Sequence, residues 1–319
     1  MNKGVYVWNL AVWDKEAQRA HEYSTPLELA QELKQGGFGH VLLKITDGTA
    51  RFGVINGVDY VPEYITALRA VGIEVWGWGY VYGNYPAGEA AVAVERCREL
   101  GITNFVVDAE AEYKNKPAAA RTYMTAVRKG MPDAVLALSS FRFPSYHREF
   151  PFREFAEQCN LMMPQVYWEG AKNAGDQLRR CVQEYTDFGF GLPIAVTGAA
   201  YKSTSVTWQP TAAEVQEFYQ VADELGLEMV NFWEWQCAKK INLWQTLMAL
   251  GGNTEPVEED TNPDYYNDDR IRAIVRDEVE KILSESTAAI LTDSIKMLVR
   301  YEIGLVLGKV ADAIRGANG

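Results

Sequence analysis

Short apolar runs alternate with amphipathic segments eight times along the first 250 residues, and few architectures need that many strand–helix units. The runs are Val5–Trp8, His40–Ile45, Glu74–Gly79, Asn104–Asp108, Val135–Leu138, Leu161–Tyr167, Pro193–Thr197 and Met229–Trp233. Their length and near-continuous apolar character suit strands buried on both faces of a parallel sheet. Between them, in Pro26–Lys34, Val61–Val71, Glu89–Leu100, Ala118–Lys129, Gly175–Phe188 and Ala212–Leu225, apolar residues recur at three and four, the helix period. Thr25-Pro26 and Lys116-Pro117 open helices, and Gly36-Gly37, Gly72, Gly101, Gly189 and Gly226 follow helix ends. Thr211 and Glu214 have the spacing of a capping box. Eight such units in about 250 residues give the count and size of an α/β, (β/α)₈ TIM barrel. The competing doubly wound sheet usually carries a Gly-rich first turn, and none is present.

After Leu250 the alternation stops. Residues 251–268 are polar, acidic and interrupted by Pro256 and Pro263, which reads as a linker. From 269 to 319 a second helical pattern places Ile271, Val275, Val279, Ile282, Ile290, Ile295, Leu298, Val306 and Val310 in an apolar stripe. Glu278, Ser286, Asp293 and Glu302 disturb any strict heptad. Such a stripe is expected to pack on the barrel, fold back as a hairpin, or join copies of the chain through 269–315 as a homo-oligomer. The chain therefore divides into a barrel (1–250), an acidic linker (251–268) and a helical tail (269–319).

Charge excludes several partners. A net charge of −12 argues against nucleic acid, because phosphate-backbone binding needs basic patches. No run approaches the ~20 apolar residues of a membrane helix. The first residues enter a strand pattern at once, so the expectation is cytoplasmic synthesis without a signal peptide, with action after release or within a larger particle. Cys97, Cys159, Cys181 and Cys237 lie far apart, and with only three histidines neither a metal site nor another cofactor is expected.

In a barrel the strand C-termini meet at one face, which holds the active site. The fourth strand ends in Asp108, Glu110 and Glu112, at alternate positions that share a face if the strand stays extended. Residues at i and i+2 of a strand lie ~6.5 Å apart, and acids gathered at an apolar strand end resist ionisation. Glycoside cleavage needs a proton donor to the leaving oxygen and a partner that stabilises the positive centre. Glu110 is the candidate general acid and Asp108 its partner. Neighbouring strand ends supply Lys44, Asp47, Trp78, Tyr80, Gln165, Tyr167, Asn231, Trp233 and Glu234, and with Glu112 these are the candidate substrate-binding residues. An acidic, amide-rich and aromatic set suits a neutral, hydroxyl-rich ligand with apolar ring faces, which describes a glycan. Ser139-Ser140 has no histidine placed for a triad.

The order of these motifs resembles the lysozyme-like barrels of glycoside hydrolase family 25. Gly4-Val5-Tyr6-Val7-Trp8 is similar to that family's first strand, Lys44-Ile45-Thr46-Asp47-Gly48 to the turn after its second, and Asp108-Ala109-Glu110 to its D-x-E, whose Glu is the family's acid. Asn231-Phe232-Trp233-Glu234-Trp235-Gln236 is similar to its eighth-strand segment. Two family acids are replaced, the first-strand Asp by Tyr6 and the eighth-strand Asp by Asn231. A weaker resemblance links the chain to family 18, which also ends its fourth strand in D-x-E and has a tyrosine on the sixth, where Tyr167 stands. Asn104, Phe105 and Val106 depart from that family's longer acidic signature.

The resemblance implies a hydrolase of an N-acetylated polysaccharide, peptidoglycan or chitin-like, and the expected lack of a signal peptide then suggests a bacteriophage endolysin or virion-associated lysin. The alternative is a catalytically silent, glycan-binding barrel anchored in a virion-like assembly by its helical tail. A barrel hydrolase that gathers a divalent ion on its carboxylates is a third.

Overall fold

The computed structural model describes residues 1–252; the linker beyond Gly252 and the helical tail lie outside the described residues. Eight parallel strands form the barrel: β1 (Asn2–Val7), β2 (His40–Asp47), β3 (Glu74–Val81), β4 (Asn104–Ala109), β5 (Val135–Phe141), β6 (Leu161–Val166), β7 (Val196–Ala199) and β8 (Met229–Trp233). Consecutive strands are neighbours, and β1 pairs with both β2 and β8, which closes the sheet. Helices α1 (Pro26–Gln35), α2 (Val61–Ala70), α3 (Pro86–Glu99), α4 (Pro117–Gly130), α5 (Phe152–Ala156), α6 (Ala174–Asp187) and α7 (Ala212–Glu224) follow β1 to β7 in turn. Two short helices, α8 (Trp235–Lys240) and α9 (Trp244–Ala249), complete the eighth unit.

Local chemistry sets these boundaries. Thr25 and Thr211 each close a capping box with Glu28 and Glu214, so α1 and α7 begin where the side chains satisfy free backbone donors. The seventh run starts three residues later than its apolar stretch suggests. Pro193 has no N–H for a ladder, and before Val196 the chain makes only an isolated bridge between Ile194 and Met162. A hairpin of Ala11–Asp14 and Arg19–Glu22 stands between β1 and α1; its mixed, half-exposed residues carry no strong periodicity.

Two apolar layers hold the fold. One lies between strands and helices and takes the outward residues, such as Val5, Val7, Val41 and Leu43. The other fills the barrel with the alternate residues, including Tyr6, Leu42, Trp76, Trp78, Val106 and Met163. Beneath that plug, the buried His40 ring lies 2.6 Å from Asn231 Oδ1 and 3.1 Å from Asn2 Oδ1. Only glycine fits beside it at position 4, where a Cβ would stand 2.0 Å from the His40 ring. The four cysteines are free thiols, three of them buried.

Candidate active site

Asp108 is the last inward residue of β4, in register with Tyr80 of β3 and Ser139 of β5. The extended strand stops at Ala109. Glu110 then turns with φ −131° and ψ −140° into one tight turn, Ala111–Tyr113. The three acids therefore part. Asp108 and Glu110 stay together, because the Gln165 side chain from β6 donates from Nε2 to Asp108 Oδ1 at 2.9 Å and to Glu110 Oε1 at 3.0 Å. One nitrogen within bonding distance of both holds those two oxygens within about 6 Å of each other. Glu112 faces the rim instead and accepts from Tyr80 Oη at 2.6 Å.

Asp108 and Glu110 open into a cavity of ≈ 330 Å³ at the C-terminal mouth of the barrel. Ser139, Gln165 and Tyr167 continue its wall on the β5–β6 side; Tyr6, Trp233 and Tyr201 complete it. Its carboxylates thus stand close together, and the other lining groups are phenols, an indole, an amide and a hydroxyl.

Burial dominates the electrostatics. Asp108 is only 6% exposed, and desolvation together with the charge of Glu110 holds its carboxyl well above the usual carboxylate range. Hydrogen bonds from Ser139 and Gln165 and the charge of Lys44 oppose that rise without cancelling it. Glu110 is raised first by burial and then by the charge of Glu112, against the pull of Gln165. The pair consequently retains a proton at pH values where isolated carboxyls have lost theirs. The buried Tyr6 and half-buried Tyr167 phenols are shifted upward by desolvation and remain neutral donors.

The remaining candidates divide by position. Lys44 is nearly buried, pairs with Asp47 at 3.0 Å, and lies over the Phe52 and Trp78 rings at 4.4 and 5.1 Å. Asp47 also accepts from Tyr82 Oη at 2.8 Å, so two hydrogen-bonded pairs, Tyr82–Asp47 and Tyr80–Glu112, joined by the edge-on contact of the two tyrosine rings, form the rim over β2–β4. Trp78 packs against Tyr6 and Trp233, at ring distances of 5.7 and 5.3 Å, in a mutual cluster, and is not among the residues that line the cavity. Asn231 is fully buried against His40 and is not among the cavity residues. Glu234 is also turned away: its side chain caps α8 by accepting from Gln236 N and Cys237 N. The sequence pattern offers α8 no other capping oxygen, which explains why this carboxylate is committed to backbone.

Two contributors escaped the sequence reading. Tyr201 reaches the cavity from the loop after β7, where no periodicity marks it. Glu89 on α3 is 3% exposed and accepts from four successive backbone donors, Tyr82, Gly83, Asn84 and Tyr85. It fixes the loop that carries Tyr82. Its place in an apolar helix face was the available signal.

No protein-family model matches the chain, and no curated protein matches it. Solved structures do. A GH18 chitinase from Pseudoalteromonas aurantia superposes with a TM-score of 0.57 at 12% identity, over 79% of this chain and 100% of that one. The spore cortex-lytic enzyme SleL of Bacillus megaterium QM B1551 gives 0.53 at 10% identity, over 77% and 73%. The hyperthermostable endo-1,4-β-D-mannanase of Thermotoga petrophila RKU-1 gives 0.53 at 10% identity, over 73% and 88%. The chain is therefore built on the barrel fold that these glycoside hydrolases share.

Among the described residues no cluster of three or more His, Cys, Asp or Glu side chains is placed to hold a metal ion, and no helix is long and apolar enough to cross a membrane.

Proposed function

We propose that this protein is a glycosidase of N-acetylated polysaccharides, with Glu110 as general acid/base and Asp108 as its partner. The observation that carries the reading is the Gln165-bridged pair of raised carboxyls, buried at the barrel mouth where this fold places active sites. The pair retains one proton, and Glu110, the more exposed of the two, delivers it to the leaving glycosidic oxygen, which leaves Asp108 to act as the carboxylate once the proton stands on Glu110.

The arrangement also favours one route. Where a family 25 barrel has its first-strand acid, Tyr6 fills the barrel, with its hydroxyl 3.0 Å from Met163 Sδ. The cavity wall facing the pair is Tyr6, Trp233 and Tyr201, none of which is a carboxylate nucleophile. A substrate acetamido group supplies what is missing. Glu110 donates its proton as the C1–O bond breaks, and the acetamido oxygen closes on C1. Asp108, as carboxylate, accepts a hydrogen bond from the acetamido N–H and balances the positive ring. Water then adds to C1, giving its proton to Glu110, and the acetamido oxygen leaves. Tyr167, a neutral phenol beside the pair, is placed to orient the acetamido carbonyl.

Among N-acetylated glycans we favour peptidoglycan, as the substrate of a phage-type lysin; the family 25 resemblance and the likeness to a spore cortex-lytic enzyme support that choice. Digestion of purified peptidoglycan and of chitin oligomers by wild type and Glu110→Gln tests the reading. Release of reducing ends by wild type alone is the expected result. Binding without release by either protein selects the silent glycan-binding barrel instead.

A further inference from the structure

A second groove, of ≈ 520 Å³, adjoins the catalytic cavity and shares Gln165 and Tyr167 with it. Its walls come from the end of β5 and the loop that follows. Phe141 and His147 stack at a ring distance of 3.7 Å, forming a flat platform, and the Tyr146 ring, 63% exposed, stands beside them. Arg142 lies across this groove. Its guanidinium donates to the Tyr167 carbonyl and covers the Phe143 ring at 4.5 Å, yet it makes no ion pair among the described residues. Neighbouring Arg180 is engaged by Glu184 at 2.9 Å. The carboxylate in the groove, Glu169, is occupied by Ser203 and Tyr201 hydroxyls. An arginine held by one carbonyl keeps most of its five donors for a planar, bidentate acceptor.

The opposite rim has the other sign. There Asp47 is neutralised by Lys44, but among the described residues Glu112 is held only by the Tyr80 hydroxyl. A glycan crossing the mouth thus meets an acidic, aromatic rim on the β2–β4 side and an unpaired guanidinium over an aromatic platform on the β5–β6 side.

We infer that the Arg142 groove is a subsite for a carboxylate-bearing saccharide next to the ring being cleaved. The inference rests on the glycosidase reading and deepens it: the substrate is an N-acetylated glycan with acidic substituents, not a wholly neutral one. Phe141, His147 and Tyr146 carry the ring face, and Arg142 selects the carboxylate.

Affinity is measured on the full chain carrying Glu110→Gln, so that cleavage does not intervene. The ligands are peptidoglycan glycan strands, the same strands with carboxylates amidated by methylamine, and neutral N-acetylglucosamine oligomers. A charge-assisted bidentate contact at a half-buried site predicts about tenfold tighter binding of the charged strands than of the amidated ones. Adding Arg142→Gln brings that ratio to about one while the neutral oligomers bind within twofold as before; Arg142→Lys retains part of the ratio. Equal binding of charged and amidated strands by the parent chain, which needs no Arg142 variant, overturns the inference. So does a ratio unchanged by Arg142→Gln. Failure of the wild-type chain to release reducing ends from any ligand would count against the glycosidase reading alone.

Discussion

Gln165→Met removes the amide that joins Asp108 to Glu110 while keeping an unbranched side chain of similar length. The Gln165 bonds of 2.9 and 3.0 Å favour the ionised forms and so hold both carboxyls below the level that burial alone would set. Without them both pKa values rise further. The bell-shaped dependence of kcat/KM on pH, whose limbs report the two ionisations of the pair, should therefore move bodily toward higher pH. A hydrogen bond to a charged group contributes about 2 kcal/mol, and the active form of the pair carries one charge, so one such bond is at stake. That corresponds to roughly a thirtyfold loss of kcat/KM on the acidic limb of the bell, where the variant pair stays doubly protonated. The assay is reducing-end release from an N-acetylated oligomer across the pH range, with the thermal midpoint recorded in parallel. A bell that stays in place or moves toward acid would show that the Gln165 amide does not set these ionisations, as would a loss under threefold.

Asp108→Asn should raise thermal stability at neutral pH. A carboxyl raised in the folded state stabilises below its unfolded pKa, about 4, and loses that contribution as pH rises through the folded value, so the gain from Asn should vanish on acidification. A melting-temperature difference that grows toward low pH would contradict this sign. Tyr6→Asp, which writes the family 25 residue into β1, should cost about 3–5 kcal/mol by denaturant unfolding and restore no lysozyme route, because it empties the contact with Trp78 and Trp233 and buries a charge. Glu89→Ala strands four backbone donors and should cost about 3 kcal/mol while freeing the Tyr82 loop to faster hydrogen exchange; unchanged exchange at residues 82–85 would show the loop is held otherwise.

The barrel was legible because its signal is repetition. Eight apolar runs and the helices between them follow from periodicity, and a boundary error such as that at Pro193 does not alter the closure of the sheet. That Asp108, Glu110, Gln165 and Tyr167 line one cavity followed from topology as well, since the residues that end β4 and β6 must meet at one mouth. Side-chain destination was less legible. Asn231 and Glu234 end the eighth strand as Asp108 ends the fourth, yet one bonds His40 beneath the plug and the other caps α8. Their fates depend on a glycine at position 4 that admits the His40 ring and on a short helix in need of an acceptor, and both lie at a distance in the chain or below the resolution of a period. Asp108, Glu110 and Glu112 would share one face only on an extended strand, and where that strand stops is equally hidden from a period: it ends at Ala109, and the turn sends Glu112 to Tyr80. The electrostatic expectation also shifted. Burial, ahead of mutual repulsion, raises Glu110, and only a folded environment shows how dry that carboxyl is.

The central claim is that the Asp108–Glu110 pair cleaves with the help of a substrate acetamido group. The most direct measurement compares wild-type hydrolysis of fully N-acetylated oligomers with that of the same oligomers after de-N-acetylation, following the anomeric protons of the first product by NMR. The expected result is cleavage of the acetylated oligomers with retained configuration and at least a hundredfold slower cleavage of the free amines, roughly the cost of losing a positioned nucleophile. Comparable rates on both, or an inverted first product, would contradict it.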